Sequence, residues 1–260
     1  MWRSLESHLI TILLPAYNEE KSLPLLLDRI AAWGAVNPAE PYQVIVVNDG
    51  SRDATQAIAE DYAQRMPLRL INHDGNQGLG VAMRTGLGAA AAVSGLADVV
   101  VTMDADNTHD PALITAMREQ MRKEMRTKSN AGYLIIASRY QPGGQEIGLS
   151  ASRHVFSKGA SLLLRSFFPI KGARDYTCGY RMYSGDLLRR AVVAYGDRLV
   201  EEQGFTCMAE ILIKMARLGA RVSEVALVLR YDLKAGASKM NVSRTIRRYF
   251  VLIAHNWRKR

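Results

Sequence analysis

The chain has 260 residues, of which 48% are hydrophobic, and it carries a formal net charge of +9. This length and apolar content favour one α/β domain over two small ones. The two cysteines, Cys178 and Cys207, are too few for a disulfide framework and are expected to be unpaired thiols in a reducing compartment. The positive charge favours anionic partners such as nucleotides, phospholipid headgroups or nucleic acid, and does not choose among them.

The chain lacks the sequence pattern of a membrane anchor. Residues 1–8 carry charges and no long apolar run, so we do not expect them to form a signal peptide. No uninterrupted apolar stretch reaches the roughly 20 residues that a bilayer span needs. We therefore expect a protein that is soluble or peripheral to a membrane.

Short apolar runs, rich in β-branched residues and bounded by turn formers, predict buried strands. They are residues 9–14, 44–47, 68–71, 99–103, 134–137 and 222–229. Helical segments at 20–33, 54–66 and 80–92 separate the first four runs. This alternation predicts a mostly parallel sheet flanked by helices. Residues 1–106 are interpreted as a Rossmann-like nucleotide-binding half.

The second half of the chain is less regular. It is predicted to contain a helix over 111–126, a Gly-rich loop over 141–148 and an apolar, basic segment over 149–168. Such irregularity suits the binding of an acceptor substrate. We therefore interpret residues 107–240 as an acceptor-binding half and residues 241–260 as a basic, amphipathic C-terminal helix. No repeat or linker divides the chain, so residues 1–260 are treated as a single domain.

Polar residues follow the first two predicted strands, at the sheet edge where open parallel sheets bind ligands. Pro15, Tyr17 and Glu19 follow the first strand, and Tyr17 and Glu19 are placed to meet a base. The structural alternative is that Pro15 ends the strand and Asn18 caps the next helix.

Asp49 follows the second strand and has no comparable structural duty. Its carboxylate is suited to a base or ribose, although an aspartate that forms a turn is the common alternative. Gly78 precedes the third helix, where glycine serves either ligand approach or close packing.

Asp104 and Asp106, separated by Ala105, follow the fourth strand. Two carboxylates at the end of a buried strand repel each other and are costly unless a cation lies between them. Hard oxygen ligands select Mg²⁺ or Mn²⁺, and such an ion can bridge a diphosphate and neutralise charge on a leaving group. The pair therefore predicts a metal site for nucleotide-sugar cleavage, with two solvated carboxylates as the alternative.

The polar segments occur in the order and spacing of glycosyltransferase family 2. The segments that carry this resemblance are 15–19, 48–51, 76–80, 104–106, 138–140, 175–181, 230–231 and 236–239. Within that family the chain most resembles dolichyl-phosphate mannose synthases and bacterial polyprenyl-phosphate glycosyltransferases. The resemblance implies a GT-A fold and inverting, metal-dependent transfer of a hexose to a polyprenyl or dolichyl phosphate. The donor would be a nucleotide sugar of the GDP-mannose or UDP-glucose type.

The resemblance also implies roles for individual residues. The nucleotide sugar would be bound by Pro15, Tyr17, Glu19, Asp49, Gly78, Asp104, Ala105, Asp106, Arg230 and Lys239. The acceptor phosphate would be bound by Arg139, Arg153, Ser157 and Arg181. Catalytic roles would fall to Asp104, Asp106, Arg139, Asp175 and Lys239. The metal would be held by Asp104, Asp106 and Thr108, which stands where close relatives often have a glutamine ligand.

Three other functions compete with this one. A phosphate monoester is already an anionic nucleophile at neutral pH and needs no general base, whereas a soluble hydroxyl acceptor needs one, and Asp175 would be the candidate. A sugar-1-phosphate nucleotidyltransferase would need a phosphate loop after the first strand, which is missing. A non-enzymatic, basic membrane-binding protein would not explain Asp104 and Asp106. Nucleic acid is not expected as a partner, because aromatic residues make up only 7% of the chain.

Two segments are candidates for contact with a membrane surface. In the C-terminal helix the spacing of Val242, Ile246, Tyr249, Ile253 and Trp257 predicts one apolar face, with Arg244, Arg247, Arg248 and Arg258 opposite. This pattern is typical of an interfacial helix and equally of a terminal helix packed on the core. Segment 149–168 mixes basic and apolar residues in the same way. We expect a cytoplasmic protein, peripheral at the cytoplasmic face of a membrane.

Overall fold

A computed structural model of the protein describes residues 8–127, 131–149, 151–234 and 242–257. The strands within these ranges are β1 (Ile10–Ala16), β2 (Tyr42–Asn48), β3 (Leu68–Asn72), β4 (Val99–Thr102), β5 (Tyr133–Ser138), β6 (Gln145–Ile147), β7 (Arg181–Ser184), β8 (Arg221–Ala226) and β9 (Val228–Arg230). The α-helices are α1 (Leu23–Val36), α2 (Thr55–Ala63), α3 (Leu79–Val93), α4 (Leu113–Thr127), α5 (Ala151–Phe167), α6 (Gly185–Tyr195), α7 (Cys207–Arg217) and α8 (Val242–Trp257). Short 3₁₀ helices cover Gly196–Leu199 and Tyr231–Leu233.

The main sheet has seven strands in the order β3-β2-β1-β4-β7-β5-β8. All neighbouring pairs are parallel except those of β7, which runs antiparallel to both β4 and β5. Every residue of β4 and β5 is buried, because helices cover both faces of a parallel sheet of this kind. This confirms the predicted α/β fold with a mostly parallel central sheet flanked by helices.

The second half differs in detail from the sequence prediction. β7 lies inside the sheet, between β4 and β5, although no strand was predicted there. The predicted Gly-rich loop contains β6, which pairs with β9 in a separate two-stranded sheet. The single strand predicted over 222–229 is divided at Leu227, whose N–H donates to the Ser138 carbonyl oxygen at 2.9 Å. The division lets β9 leave the main sheet and reach β6.

The C-terminal helix α8 packs on the body of the protein. Tyr249, Leu252 and Ile253 are buried, and the Arg217 side chain of α7 donates to the Asn256 side chain at 3.0 Å and to its carbonyl oxygen at 2.7 Å. Part of the apolar face predicted for this helix therefore contacts the core. None of the helices in the described ranges combines the length and the apolar composition that a bilayer crossing requires.

Candidate active site

A cavity of about 620 Å³ opens at the carboxyl ends of β1, β2 and β4. Its wall contains most of the predicted site residues: Pro15, Tyr17, Glu19, Asp49, Gly78, Asp104, Ala105, Asp106, Thr108, Arg139 and Ser157. These residues come from loops far apart in sequence that meet because the strands before them end at one sheet edge. The donor-side and acceptor-side predictions therefore converge on one cavity.

Hydrogen bonds between neighbouring loops shape the wall beyond β1 and β2. The Asn18 N–H donates to Ser51 Oγ at 3.0 Å, and the Asn18 side-chain oxygen accepts from the Arg52 N–H at 2.8 Å. The Glu19 N–H donates to Thr55 Oγ1 at 2.8 Å. Asn18 therefore joins two loops and does not cap α1, whose N-cap residue is Ser22. These bonds fix the backbone that carries Tyr17 and Glu19.

Asp49 has a structural role, binding backbone N–H groups of a neighbouring loop, that the sequence did not reveal. Its carboxylate accepts the backbone N–H groups of Gln77 at 3.0 Å and Gly78 at 2.8 Å, and it lies 2.8 Å from His73 Nδ1. These contacts hold the loop before α3 against the end of β2. Asp49 also lines the cavity, so one carboxylate both shapes this wall and faces the space beside it.

The glycines before and within α3 permit a close crossing of two chain segments. Gly78 has φ +92°, and a Cβ on Gly80 would lie 1.7 Å from the carbonyl oxygen of Glu202. The Gly80 N–H donates to the Gln203 carbonyl oxygen at 2.9 Å. A segment formed by residues 202–206, here called the strap, thus crosses the start of α3. Close packing explains these glycines, and the strap itself lines the cavity through residues 203–206.

Asp104 and Asp106 lie side by side with different surroundings. In the described chain no donor lies within hydrogen-bonding distance of the Asp104 carboxylate, and His109 Nε2 is 4.0 Å from its Oδ2. Burial and the neighbouring Asp106 charge raise the pKa of Asp104, against the attraction of His109 and Lys234. Burial also acts to raise the pKa of Asp106, but Lys234 and the Thr108 hydroxyl outweigh it and the pKa is lowered. Asp104 is thus the less engaged of the two carboxylates, with its side chain 35% exposed.

The chemistry of this pair fits a divalent cation. Both residues offer hard oxygen atoms, and a cation beside them would offset the Asp106 charge that helps to raise the pKa of Asp104. Thr108 was expected to be a third metal ligand. In the structure its hydroxyl instead donates to Asp106 Oδ1 at 2.7 Å. The described residues contain no cluster of three or more His, Cys, Asp or Glu side chains able to hold a metal. Among the described residues, Asp104 and Asp106 thus remain the predicted metal ligands.

His109 is a further residue of this site that sequence reasoning missed. The Asp104 N–H donates to His109 Nδ1 at 3.1 Å, so that nitrogen accepts this bond. The ring stacks on Tyr180 at a centroid distance of 4.9 Å. His109 follows the aspartates by a few residues, so its proximity was the available signal. Its position orients the backbone that carries Asp104.

Arg139 lies at the centre of a buried ion-pair network in the part of the wall that follows β5. Its Nε donates to Asp175 Oδ2 at 2.7 Å and its Nη2 to Asp175 Oδ1 at 2.8 Å. Its Nη1 donates to Glu146 at 3.0 Å and to Ser157 Oγ at 2.8 Å. Burial opposes the charge, yet Asp175 raises the pKa of Arg139 well above its usual value. Arg139 is therefore a fixed positive charge, largely compensated by carboxylates.

Asp175 stands behind Arg139 and does not line the cavity. It is fully buried, and its Oδ1 also accepts the backbone N–H groups of Thr177 at 3.1 Å and Cys178 at 3.0 Å. Burial acts to raise its pKa, but Arg139 outweighs this effect and lowers it. A carboxylate with occupied oxygens and a lowered pKa is a weak proton acceptor. The general-base role considered for Asp175 from the sequence therefore does not fit its position in the structure.

Two predicted phosphate-binding arginines lie away from the cavity wall. Arg181 is fully buried, and its guanidinium donates to the carbonyl oxygens of Met208 and Tyr176. It therefore supports the fold and does not face an acceptor. Arg230 is on the surface, where its guanidinium forms a bidentate pair with Asp232. The Arg153 side chain and Lys239 lie outside the described residues.

Two cations that the sequence did not single out as ligands line the cavity. Lys234 Nζ is 2.5 Å from Asp106 Oδ2. Arg248 of α8 donates through Nε to Glu202 of the strap at 2.9 Å. Both pairs join residues distant in sequence, so no local pattern indicated them. Arg248 was expected opposite the apolar face of the terminal helix.

The two thiols are buried and unpaired, as expected. Cys178 lines the cavity, and burial followed by the Asp175 charge raises its pKa to about 12. A thiol of this kind stays protonated at neutral pH, so it does not act as a nucleophile.

Comparisons with known proteins agree with this architecture. The family model for glycosyl transferase family 2 matches residues 11–192. The chain is 32% identical over 237 residues to an undecaprenyl-phosphate mannosyltransferase from Micrococcus luteus, covering 89% of this chain and 87% of that protein. It is 29% identical over 236 residues to a polyprenol monophosphomannose synthase from Mycolicibacterium smegmatis, covering 89% and 81%.

A solved structure shows the same fold. The glucosyl-3-phosphoglycerate synthase from Mycobacterium tuberculosis, in complex with Mn²⁺, uridine diphosphate and glucosyl-3-phosphoglycerate, superposes with a TM-score of 0.63 at 20% identity. The superposition covers 95% of this chain and 80% of that one. The family model and the Micrococcus luteus relative both match this chain over most of its length. The protein therefore belongs to glycosyl transferase family 2 and is a glycosyltransferase.

Proposed function

We propose that this glycosyltransferase transfers a hexose, with inversion, from a nucleotide sugar to a polyprenyl phosphate. The observation that carries the proposal is that the Asp104/Asp106 pair and Arg139 with Ser157 face one cavity. The first group suits a diphosphate with its cation, and the second brings to the acceptor side a hydroxyl and a guanidinium that Asp175 and Glu146 already pair. The relatives named for polyprenol-phosphate mannosyl transfer support the choice of acceptor.

The donor side would bind the nucleotide through the loops after β1 and β2. Tyr17, Glu19 and Asp49 line this part of the cavity, and GDP-mannose or UDP-glucose is the expected type of donor. Asp104 and Asp106 would hold Mg²⁺ or Mn²⁺, which supplies charge neutralisation for the departing diphosphate. We assign residues 1–106 to this donor-binding half and residues 107–240 to the acceptor-binding half.

The acceptor chemistry needs positive charge more than it needs a base. A phosphate monoester oxygen attacks the anomeric carbon on the face opposite the leaving diphosphate. The bond from that carbon to the donor phosphate breaks, and its electron pair stays with the diphosphate. No proton is transferred in this step, which agrees with the burial and lowered pKa of Asp175. This favours a phosphate acceptor over a soluble hydroxyl acceptor.

We also propose that α5 and α8 contact a membrane surface, where a polyprenyl phosphate resides. Val155 and Leu162 of α5 are 68% and 66% exposed, and Ile246 and Phe250 of α8 are 40% and 57% exposed. Exposed Lys158, Arg165 and Arg247 accompany them. Apolar side chains beside cations suit an anionic lipid surface. This would place the protein at the cytoplasmic face of a membrane.

The direct test is transfer by the purified protein. It would be incubated with radiolabelled GDP-mannose or UDP-glucose, Mn²⁺ or Mg²⁺, and either a short polyprenyl phosphate or a panel of soluble alcohols. We expect a lipid-extractable product with the polyprenyl phosphate and its loss with EDTA. Transfer to the alcohols alone would contradict the proposed acceptor, and metal-independent transfer would contradict the proposed cofactor.

A variant separates donor from acceptor binding. Arg153→Ala should raise the KM for polyprenyl phosphate and leave nucleotide affinity unchanged, because the family resemblance assigns this residue to the acceptor phosphate. Arg165→Ala, an exposed arginine of the same helix, is the matched control for lost surface charge. Equal weakening of nucleotide binding by Arg153→Ala would refute the assigned role.

A further inference from the structure

Lys234 forms an ion pair with one oxygen of the Asp104/Asp106 carboxylate pair. Its ammonium nitrogen is 2.5 Å from Asp106 Oδ2, and the two side chains are only 14% and 11% exposed. Asp106 Oδ1 accepts the Thr108 hydroxyl at 2.7 Å and the Thr108 N–H at 3.2 Å. Both oxygens of Asp106 are therefore engaged by donors of the chain itself.

Lys234 neutralises only part of the charge on the pair. Asp104 and Asp106 supply two negative charges against one ammonium, and the Asp104 carboxylate has no hydrogen-bond donor within the described chain. The site keeps its attraction for a cation. A divalent ion that uses both aspartates nevertheless has to displace Lys234 from Asp106 Oδ2.

We propose that Lys234 is an exchangeable counterion that couples cation binding to diphosphate binding. In the donor-free protein it holds Asp106. When a diphosphate enters, the ammonium leaves Asp106 for the diphosphate and frees the carboxylate oxygen for the cation. This inference rests on the proposed function only in requiring that a diphosphate and a divalent cation share the cavity.

The chemistry of lysine favours this exchange. Its ammonium is a point charge on a flexible four-carbon stem, so it changes partners by side-chain rotation. Without a diphosphate, a displaced ammonium would lose its carboxylate partner, which opposes cation binding. With a diphosphate present, the ammonium gains a new anionic partner. By linkage, each ligand then raises the affinity for the other, typically about 5- to 150-fold.

Mn²⁺ binding to the purified, donor-free protein tests the first half of the proposal. Titration followed by electron paramagnetic resonance gives the Mn²⁺ affinity of wild type, Lys234→Met and Lys234→Arg. We expect Lys234→Met to bind Mn²⁺ at least about fivefold more tightly than wild type, and Lys234→Arg to stay near wild type because it keeps the charge. Lys123→Met, which removes an exposed lysine of α4, should leave the affinity unchanged.

Inorganic pyrophosphate tests the second half without assuming a nucleotide. After correction for the Mn²⁺–pyrophosphate complex in solution, pyrophosphate should raise the Mn²⁺ affinity of wild type by about tenfold or more. The gain should be clearly smaller in Lys234→Met. Thermal unfolding of each variant confirms that it is folded.

Several results would overturn the inference. They are an unchanged or weaker Mn²⁺ affinity in Lys234→Met, an equal gain from pyrophosphate in both proteins, or no Mn²⁺ binding by either. Failure of the proposed function looks different. Absence of sugar transfer to polyprenyl phosphate leaves these binding results standing, whereas normal transfer with unchanged Mn²⁺ affinity in Lys234→Met removes this inference alone.

Discussion

The two walls of the cavity are organised by different interactions. On the donor side, backbone N–H groups bond to side chains of neighbouring loops, as Asn18 does with Ser51 and Asp49 with Gly78. On the acceptor side, charged groups bond to each other, with Arg139 held by Asp175 and Glu146. The donor wall is thus fixed by turn geometry and the acceptor wall by buried charge pairs. Variants of the two walls should fail in different ways.

The largest effect on activity is expected at the carboxylate pair. Asp106→Asn keeps the shape of the side chain and removes its charge, so transfer should fall by about 10²–10³-fold or more. The measurement is the initial rate of lipid-linked product. Asp110→Asn, an exposed carboxylate of the same segment, should stay within about threefold of wild type. Comparable losses in both variants would show that the segment, and not the charge at Asp106, matters.

The largest effect on stability is expected behind the acceptor wall. Asp175→Asn leaves Arg139 buried without its bidentate partner, which should cost about 3–5 kcal/mol of unfolding free energy in urea titrations. Asp186→Asn breaks an exposed pair with Arg190 and should cost less than about 1 kcal/mol. An Asp175→Asn protein that keeps wild-type stability and loses transfer would instead support Asp175 as a general base.

Because the pKa of Asp175 is lowered, the difference in unfolding free energy between wild type and Asp175→Asn should depend on pH. The unfolded chain takes up the proton at a higher pH than the folded one, so the stabilisation is present at neutral pH. It should be lost progressively as the pH falls below about 5 and passes through the folded pKa. Unfolding free energies measured over this range should decline less steeply in Asp175→Asn than in wild type. Parallel curves would contradict the sign of the shift.

A moderate effect is expected where the strap crosses α3. Gly80→Ala places a Cβ 1.7 Å from the Glu202 carbonyl oxygen, so the backbone has to move, at a cost of about 1–3 kcal/mol. Gly88→Ala lies in the same helix with nothing within 4 Å of the added Cβ, and should stabilise the protein by about 0.4–1 kcal/mol. Thermal unfolding measures both. Equal shifts would show that the crossing is not tightly packed.

The smallest effect is expected at Arg230. The family resemblance assigned this residue to the donor phosphates, whereas the structure pairs it with Asp232 on the surface. Arg230→Gln should therefore change the donor KM by no more than about twofold, since exposed ion pairs contribute little. Asp232→Asn is the matched control, and donor KM is measured by varying the nucleotide sugar. A tenfold rise for Arg230→Gln alone would restore the phosphate role.

The donor wall could be predicted from sequence because its signals are local. Apolar runs locate the strands, and the residues that follow them meet at one sheet edge. Pro15, Tyr17, Asp49 and Asp104 were found in this way, and all line the cavity. The duty of Asp49 toward Gly78 was missed, because hydrogen bonds between loops leave no periodic pattern.

The acceptor wall could not be predicted to the same extent because its partners are distant in sequence. Arg139 and Asp175 are 36 positions apart, and the same holds where the second half of the chain meets the carboxylate pair, since Lys234 and Asp106 are 128 positions apart. Sequence identifies the type of a residue and not which charge it meets, so Asp175 and Arg181 were assigned to ligands although each is fully buried. β7 escaped prediction because it is four residues long and begins with that buried arginine.

The position of β7 between β4 and β5 has a consequence for how the chain folds during synthesis. β5 and β8 connect to the first four strands only through β7 in the described sheet. When β5 leaves the ribosome, neither of its sheet neighbours has yet been made, while β1 to β4 can already pair with one another. Joining the two parts therefore waits for a long-range closure, the slow kind of folding step. Because Arg139 follows β5, the walls of the cavity meet only after translation has passed Ser184.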